Sequence, residues 1–596
     1  MKIMPHRAPD HGVKPPDGHS RQSSKYYNSY IMNNIKGHIV DVVHREIFDG
    51  ELIVNGETIV EVRRCTLPEG EKAWPYLMPG FIDSHAHIES SMMAPHKFAH
   101  IAVSHGTIGV IADPHEIGNV LGVEGIEYMI RSGHEARFNF CFGAPSCVPA
   151  VSGDIETSGA VIDAKTISKL MARDDIGFLA EMMNYPGVLA GDKEVMKIII
   201  SALRNGKPVD GHAPGLTRRQ RDQYAGAGIS TEHECSTIEE GRSCINAGMK
   251  VIIREGSAAK DYSMLSPLIA ETPNMVMLCT DDCHPDDFVR GHINSIVKRA
   301  LADGYDLWDV LQVACVNAQK HYHLLWGLLQ PGDPATFIAV DSLTPHFRVE
   351  STVIRGIEVF NYNVRIPASQ ISEQVAAFDP NSAKLDKNKP NEFPNRFVAK
   401  PITGDDIFID FKSGDTVHVI YASDGSLVTK HDEIVLTGNP LTDSRYPWTE
   451  VQKIVVYNRY VPDAKPIVGL VRGFGIRNGA IAGSVAHDCH NIVAIGSNDE
   501  YIVRAINRIV EMRGGQVVVS PNEMLDIPLP IAGLMAPMGG HEIAFRTLLI
   551  HELVRSIGCK MKSPFITMAF MCLPVIPDLK ITDRHLMDTK NMKVIY

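Results

Sequence analysis

The feature that most constrains the fold is an alternation of short apolar runs with longer helical stretches between about Leu77 and Leu329. Runs such as GVIAD, GFLAEM and NMVMLCTDD have the length of buried strands, and intervening segments such as VEGIEYMIRSGHEARF have helical periodicity. Strand and helix alternating over roughly 250 residues are typical of a (β/α)₈ barrel. We therefore predict an α/β chain whose centre, residues 77–330, is a TIM-like barrel.

The segments on the two sides of this barrel have a different pattern. Short apolar runs broken by Gly, Asn and Asp at hairpin spacing occupy residues 26–76, and a strand-like pattern with turn residues returns over residues 331–370. We expect the two segments to be the halves of one small β-sandwich domain, with the barrel inserted between them. Residues 1–25 are predicted to be a loose tail.

A further domain is expected after the barrel, because the chain of 596 residues is too long for one core. Residues 371–395 are rich in Asp, Asn, Lys and Pro and lack periodicity, as in a linker. Residues 396–596 mix strand-like runs (IVVYN, QVVVS) with a helical segment (DEYIVRAINRIVEMR). They predict an additional C-terminal α/β domain of ordinary size.

Composition and charge exclude several classes of protein. Hydrophobic residues make up 44% and charged residues 21%, as in ordinary globular proteins. The net charge of -12 and the lack of a long basic run argue against a nucleic-acid partner. The sequence contains neither a signal-peptide core nor a stretch of about 18 apolar residues, so we expect a cytoplasmic protein with no membrane partner. A symmetric homo-oligomer, such as a dimer, is the expectation for an enzyme of this size.

The segment MPGFIDSHAHIES, residues 78–90, carries the strongest local signal for chemistry. Its apolar run ends in His85-Ala86-His87. In an extended strand, side chains two residues apart point to the same side, so one metal ion at the end of the strand can bind both imidazoles. On its own, the motif also fits two histidines in ordinary polar contacts.

Further ligand-type residues follow at the ends of later apolar runs. Glu181 ends GFLAEM, His212 follows KPVDG, His233 follows GISTE, and Asp281 closes NMVMLCTD. Taken singly, each has a structural explanation, such as a helix cap for Glu181 or a turn for His212. The carboxyl ends of barrel strands are where catalytic residues of this fold lie, so their recurrence there favours one shared site.

This ordered set, within about residues 30–365, resembles the amidohydrolase superfamily. In two-metal members a mid-barrel residue, often a carboxylated lysine, bridges the ions, and the matching position here is Glu181. Of the adjacent Asp281 and Asp282, we take the first as the ligand. The resemblance implies six metal ligands, the first three on one ion, the next two on the other and the last on both: His85, His87, Asp281, His212, His233 and Glu181.

Longer segments narrow the resemblance. PGFIDSHAHIESSM, ADPHEIGNVLG, CTDDCHPDD and SVAHDCHNIVAIGSND are similar to the adenine deaminase family, and the last of them extends the similarity into the C-terminal domain. DRHLMD departs from the family pattern, with His585 where Gly is more usual. The resemblance implies hydrolysis of adenine to hypoxanthine and ammonia, in purine salvage, with adenine and water as partners. It also implies two divalent ions, manganese or iron, although the ligand types accept zinc as well.

In that reaction, one carboxyl group must supply a proton to the ring nitrogen N1, and another must supply a proton to the departing amine. We expect Asp281 to take a proton from the nucleophile and pass it to the amine. For N1 we favour Glu89, two residues past His87, and then Glu116, although a carboxylate at either position could also be solvated or start a helix. Four residues are candidates for contacts with the purine: Asp113, His115, Asn119 and Asp282.

Alternatives to this function remain at the level of sequence. His87-Ile88-Glu89 matches the H-x-E of cytidine-deaminase-type zinc enzymes, but the P-C-x-x-C partner of that motif is absent from the sequence. Another amidohydrolase reaction, either cyclic amide hydrolysis or deamination of a different base, is the main alternative. A non-catalytic purine-binding protein is more remote, because every ligand position is filled. We expect His487, Asp488 and His490 to be buried structural or interface residues rather than a second polar site.

Overall fold

The computed structural model describes residues 34–70, 73–257, 259–363, 393–424, 426, 428–436, 451–591 and 593–596. The predicted tail, residues 1–25, and the predicted linker up to residue 392 lie outside the described residues. Within the described ranges, no helix combines the length and the apolar character needed to cross a membrane.

The chain enters the described region through a small antiparallel meander. Its strands are β1 (Asn34–Asp41), β2 (Glu46–Asn55) and β3 (Thr58–Arg64), and the short β4 (Tyr76–Met78) lies parallel to β1. The β2–β3 turn contains Gly56 at a φ of 60°, the left-handed conformation that hairpin turns of this kind require.

A parallel barrel follows. Its eight strands, counted over the described residues, are β5 (Phe81–Ala86), β6 (Thr107–Ala112), β7 (Asn139–Ala144), β8 (Ile176–Met182), β9 (Val209–Gly211), β10 (Thr231–Glu232), β11 (Lys250–Arg254) and β12 (Val276–Cys279). β5 to β9 pair in chain order, as do β10 to β12. A backbone bond from Ser230 N to Val209 O joins the two sheets at 2.9 Å, and a parallel bridge between Ala86 and Asp281 closes the ring.

The connections between these strands are mostly helical. Helix Lys193–Arg204 is representative: Asp192 caps its N-terminus by accepting hydrogen bonds from two backbone amides, and its apolar stripe is buried. The α-helices from the barrel's first strand onward are Pro95–Ser104, His115–Leu121, Val123–His134, Ala164–Met171, Tyr185–Ala190, Lys193–Arg204, Arg218–Gly226, Ile238–Asn246, Tyr262–Leu265, Pro267–Glu271, Pro285–Phe288, Ile293–Ala302, Leu307–Leu311 and Asn317–His321.

After the barrel the chain returns to the first sheet. β13 (Phe337–Val340) pairs antiparallel with β4, and β14 (Val349–Ile354) and β15 (Ile357–Asn361) extend the sheet, giving the order β15-β14-β13-β4-β1-β2-β3. Segments from both sides of the barrel therefore share one seven-stranded sheet.

The C-terminal region has its own eight-stranded sheet, in the order β17-β16-β19-β18-β21-β20-β22-β23. The strands are β16 (Thr416–Tyr421), β17 (Lys430–Val435), β18 (Val451–Tyr457), β19 (Ile467–Arg472), β20 (Ala480–Gly483), β21 (Ile492–Gly496), β22 (Gly515–Val519) and β23 (Met524–Pro528). Helices Asp499–Met512, Gly540–Ser556 and Pro564–Phe570 accompany it, followed by a small sheet of β24 (Leu579–Ile581), β25 (Leu586–Asp588) and β26 (Lys593–Val594). The predicted fold class, a TIM-like barrel with additional sheet-containing units, is confirmed.

This C-terminal unit contacts loops at the carboxyl end of the barrel. The backbone amide of Ala536 donates to Met92 O at 2.8 Å, just after the first barrel strand. The side-chain amide of Asn491 donates to Thr157 O at 3.0 Å, in the loop that follows β7. The contacts bring a second domain over the end of the barrel where the predicted ligands lie.

Candidate active site

Closure of the barrel brings the first three predicted ligands together. The amide of Asp281 donates to His85 O at 3.0 Å, and the amide of His87 donates to Asp281 O at 3.3 Å. The two imidazole Nε2 atoms lie 3.2 Å apart, and Oδ1 of Asp281 is 3.4 Å from that of His85 and 3.2 Å from that of His87. Asp282 instead accepts a hydrogen bond from Ser90 Oγ at 2.6 Å.

Asp281 is held in an unusual backbone conformation. Its φ of 54° lies in the left-handed region, which costs a non-glycine residue about 1–3 kcal/mol. The preceding Thr280 donates from its backbone amide and hydroxyl to the buried carboxylate of Asp83. Arg254 reaches Oδ2 of Asp281 at 3.2 Å. These contacts offset the backbone strain and fix the carboxylate.

Glu181, near the end of β8, lies between the remaining ligands. Its Oε2 is 3.0 Å from Nδ1 of His212, which follows β9, and 3.1 Å from Nε2 of His233, which follows β10. The same carboxylate faces the first pair of histidines, with 3.8 Å to His85 and 3.7 Å to His87. One carboxylate thus faces four imidazoles from three strand ends.

The converging atoms fit divalent metal ions. Imidazole nitrogen and carboxylate oxygen are the ligand types that divalent transition metals prefer, and closely spaced groups of them are otherwise costly to bury. Three overlapping donor groups have all their ligand atoms within 4.8 Å of one another. They are His85, His233 and Asp281; Glu181, His212 and His233; and His87, Asp113, His115 and Glu181.

Two charged residues that the sequence interpretation missed surround these donors. Glu234 lies 3.5 Å from His233 Nε2 and 3.7 Å from His212 Nδ1, and forms an ion pair with Arg254. Arg254 is buried, and it also contacts Asp261 at 2.8 Å. The available signal was an arginine at the end of the apolar run KVIIR, which is the carboxyl end of β11.

Glu89 lies behind the donor group, in a short 3₁₀ turn, Ile88–Ser91. It is buried, its Oε1 accepts from the amide of Ile117 at 3.2 Å, and its Oε2 has no hydrogen-bond partner among the described residues. Burial and the neighbouring Glu116 raise the pKa of Glu89 to about 8. It lines a small cavity next to a second one, here called the main cavity, which is lined by most of the proposed metal-ligating side chains; His487 borders both.

Glu116 begins helix His115–Leu121 and lines the main cavity. Its Oε1 is 3.2 Å from Nδ1 of His487, which comes from the C-terminal domain. Burial alone would lower the pKa of His487, but the charge and hydrogen bond of Glu116 raise it to about 9. The two side chains therefore form a buried ion pair between the domains.

The predicted purine-contact residues take different positions. His115 and Asp282 line the main cavity. Asp113 is buried beside His115, accepting from its backbone amide at 3.0 Å, and Asn119 donates from its side chain to the carbonyl of His115 at 3.0 Å. The structure thus brings His115 and Asp282 to the cavity and places Asp113 and Asn119 where they position His115.

The C-terminal domain completes the wall of the cavity. It contributes five lining residues: His487, Asp488, Phe570, Leu573 and Ile576. The ring of Phe570 stacks on that of His487 with centroids 4.4 Å apart. The sequence signal was the dense group of polar residues in HDCHN, which the sequence analysis predicts to be buried structural or interface residues. The cavity has polar barrel side chains on one side and partly apolar C-terminal ones on the other.

Fold and site together define a metal-dependent hydrolase of the amidohydrolase type. Residues 76–359 match the amidohydrolase family model, and residues 426–593 match the model of the adenine deaminase C-terminal domain. The adenine deaminase of Salinibacter ruber is 44% identical over 561 residues, which cover 93% of this chain and 97% of the relative. That of Methanosarcina mazei is 42% identical over 570 residues, covering 95% and 99%. The chain belongs to the adenine deaminase family.

Proposed function

We propose that this chain hydrolyses adenine to hypoxanthine and ammonia. The observation that carries the proposal is a buried group of metal-ligating side chains at the carboxyl end of the barrel, under a cavity that the C-terminal domain completes. Relatives named adenine deaminase match both parts over nearly their whole length. The alternative amidohydrolase reactions have no such support from the C-terminal domain.

Six residues would hold the metals, in line with the resemblance: His85, His87, Glu181, His212, His233 and Asp281. When bound, two divalent ions acidify a water molecule and so make a nucleophile available near neutral pH. We propose manganese or iron as the metal, with zinc as the alternative, because imidazole and carboxylate accept all three. Reconstitution of metal-free protein with each ion in turn, followed by activity measurement, distinguishes them.

The chain's own carboxylates would move the protons. Attack at C6 of adenine leaves N1 in need of a proton and the exocyclic amine in need of another. Asp281 lies beside both histidines of the first strand and is positioned to accept a proton and pass it to the amine. Glu89 and Glu116 both have a carboxylate oxygen without a hydrogen-bond partner among the described residues, where Glu89 also has no ion-pair partner. Glu116, in contrast, lies 3.2 Å from Nδ1 of His487, whose charge favours its carboxylate form. We therefore assign the proton for N1 to Glu89.

Binding of the ring would use both sides of the cavity. Asp282, His115 and His487 offer polar groups for the ring nitrogens, and Phe570 and Leu573 offer apolar surface for the ring faces. Closure by the C-terminal domain would exclude bulk water, which strengthens each of these polar contacts. A homodimer without a nucleic-acid partner is the assembly we propose.

An ammonia-release assay tests the function. The purified protein, containing close to two transition-metal ions per chain by elemental analysis, is offered adenine, other purines, pyrimidines and cyclic ureides. We expect ammonia from adenine and hypoxanthine as the coupled product. Faster turnover of a cyclic ureide or of another base would contradict the proposal, and an active preparation with only traces of metal would contradict its chemistry.

A further inference from the structure

A second group of metal-ligating side chains lies outside the barrel, on the first hairpin of the C-terminal sheet. β16 and β17 pair antiparallel, with His418 opposite Glu433 and Ile420 opposite His431. Residues directly opposite each other, and residues two apart on one strand, share a face of the sheet. His418, His431 and Glu433 therefore project from the same face of the hairpin.

Their ligand atoms converge. Nδ1 of His418 lies 2.8 Å from Nε2 of His431, and Oε1 of Glu433 lies 3.7 Å and 4.0 Å from these two nitrogens. Ligands at about 2.0–2.1 Å from one tetrahedral ion are separated by about 3.4 Å, so small side-chain rotations bring all three atoms onto one ion. The two histidine side chains are 24% and 20% exposed and that of Glu433 is 62% exposed, which leaves the fourth position open to water.

We propose that His418, His431 and Glu433 form a further metal site, for a divalent transition-metal ion such as zinc, separate from the barrel centre. Two ring nitrogens this close have room for only one proton between them, so at least one of the two nitrogens is unprotonated and carries a lone pair. An ion with imidazole and carboxylate ligands satisfies both nitrogens and the carboxylate at once. The competing arrangement is a neutral hydrogen bond between the two rings.

The position of the hairpin indicates what such a site would do. Among the described strands, β17 lies at the edge of its sheet, and a bound ion would link this edge to the neighbouring β16. Two charged residues of the small sheet nearby interact electrostatically with the histidines: Lys593 with His418, and Asp588 with His431.

The test counts metal in the full-length protein. The protein is loaded with manganese, incubated with an excess of zinc and passed through a desalting column, and total manganese plus zinc per chain is measured. We expect wild type to retain one metal equivalent more than the double variant His418→Ala/His431→Ala. The matched control, Lys430→Ala on the same hairpin, should retain the full amount. Ammonia release from adenine should be the same in all three proteins.

Equal metal content in wild type and the active double variant would overturn the proposal and leave the hydrogen-bonded pair as the explanation. If the double variant does not fold, Glu433→Gln at the most exposed ligand provides the same comparison. It should need a higher free zinc concentration to fill the extra equivalent, and unchanged zinc uptake in that variant would also count against the site.

Discussion

Glu181 has three imidazole nitrogens within 3.0 to 3.3 Å of its carboxylate, from His212, His233 and His115. Burial alone would raise the pKa of this carboxyl, but the histidines hold it well below its usual range. A negative charge is therefore kept at the centre of the donor group. This negative charge would attract a metal cation on either side, as a carboxylate shared between two ions requires.

Glu181→Gln should lose bound metal and activity together, because an amide supplies neither the charge nor the second anionic oxygen of a bridging carboxylate. Elemental analysis beside the ammonia-release rate measures both. Glu194→Gln, on the exposed face of helix Lys193–Arg204, is the control and should change neither. Full metal content and full activity in the Glu181 variant would mean that the bridge is assigned to the wrong residue.

Glu89→Gln should keep its metals, since Glu89 is not among the proposed ligands, and lose kcat by roughly the 10²- to 10⁴-fold typical of a general acid or base. The amide still hydrogen-bonds the ring but cannot deliver a proton, so KM should change much less than kcat. Glu116→Gln, measured in parallel, provides the comparison. Near-normal kcat in the Glu89 variant and a large loss in the Glu116 variant would move the assignment to Glu116.

At the scale of elements, β24 carries a buried lysine in the C-terminal domain. Lys580 is fully buried, and its Nζ donates to the carbonyl of Phe570 at 2.9 Å, at the end of helix Pro564–Phe570. A cation at this end of a helix binds carbonyls that have no partner within the helix. Burial nevertheless lowers the pKa of Lys580 to about 7.

This lowered pKa predicts a pH dependence of stability. The unfolded chain holds the proton up to its ordinary pKa of 10.5, while the folded chain loses it near 7. The contribution of Lys580 to the free energy of unfolding is therefore least unfavourable above pH 10.5. As the pH falls from there towards 7, this contribution becomes more unfavourable, by at most about 1.4 kcal/mol per pH unit. Urea unfolding at pH 7 and pH 9 should show a larger gain in stability with pH for wild type than for Lys580→Met. The same gain in both proteins would contradict this.

At the scale of the whole molecule, the C-terminal domain contributes lining residues to the cavity of the candidate active site. His487 and Asp488 line the cavity, and His487 is the cationic partner of Glu116 on the barrel. Separate hydrogen bonds, such as those from Asn491 and Ala536, hold the two domains together around this cavity. The position of these polar groups relative to the proposed metal ligands therefore depends on docking of the domains.

His487→Gln should leave metal content unchanged and lower kcat/KM for adenine by roughly the 10- to 100-fold seen when partners of active-site groups are removed. The reason is that Glu116 would be left as a buried carboxylate without its cation. His541→Gln, an exposed position in the same domain, is the control and should behave as wild type. A His487 variant with unchanged kcat/KM would show that the contact between the domains has no part in turnover.

The sequence by itself determined the elements and the spacing of the ligands. Strand and helix periods follow from local backbone geometry, so the alternation between Leu77 and Leu329 specifies a barrel without knowledge of any long-range contact. The same local geometry places His85 and His87 on one side of a strand and puts Glu181 at the end of another. Parallel strands then bring their carboxyl ends to one face, which made a shared site predictable.

Only the tertiary structure decided which neighbours of those ligands reach the cavity. His115 lines it while Asn119, one helical turn away, binds the carbonyl of His115 instead. Arg254 and His487 reach the cavity because of contacts with residues far away in the sequence. A local sequence pattern contains no information about such contacts. Packing between the barrel and the C-terminal domain fixes them, because side-chain partners across an interface depend on how whole elements dock and not on the period of either one.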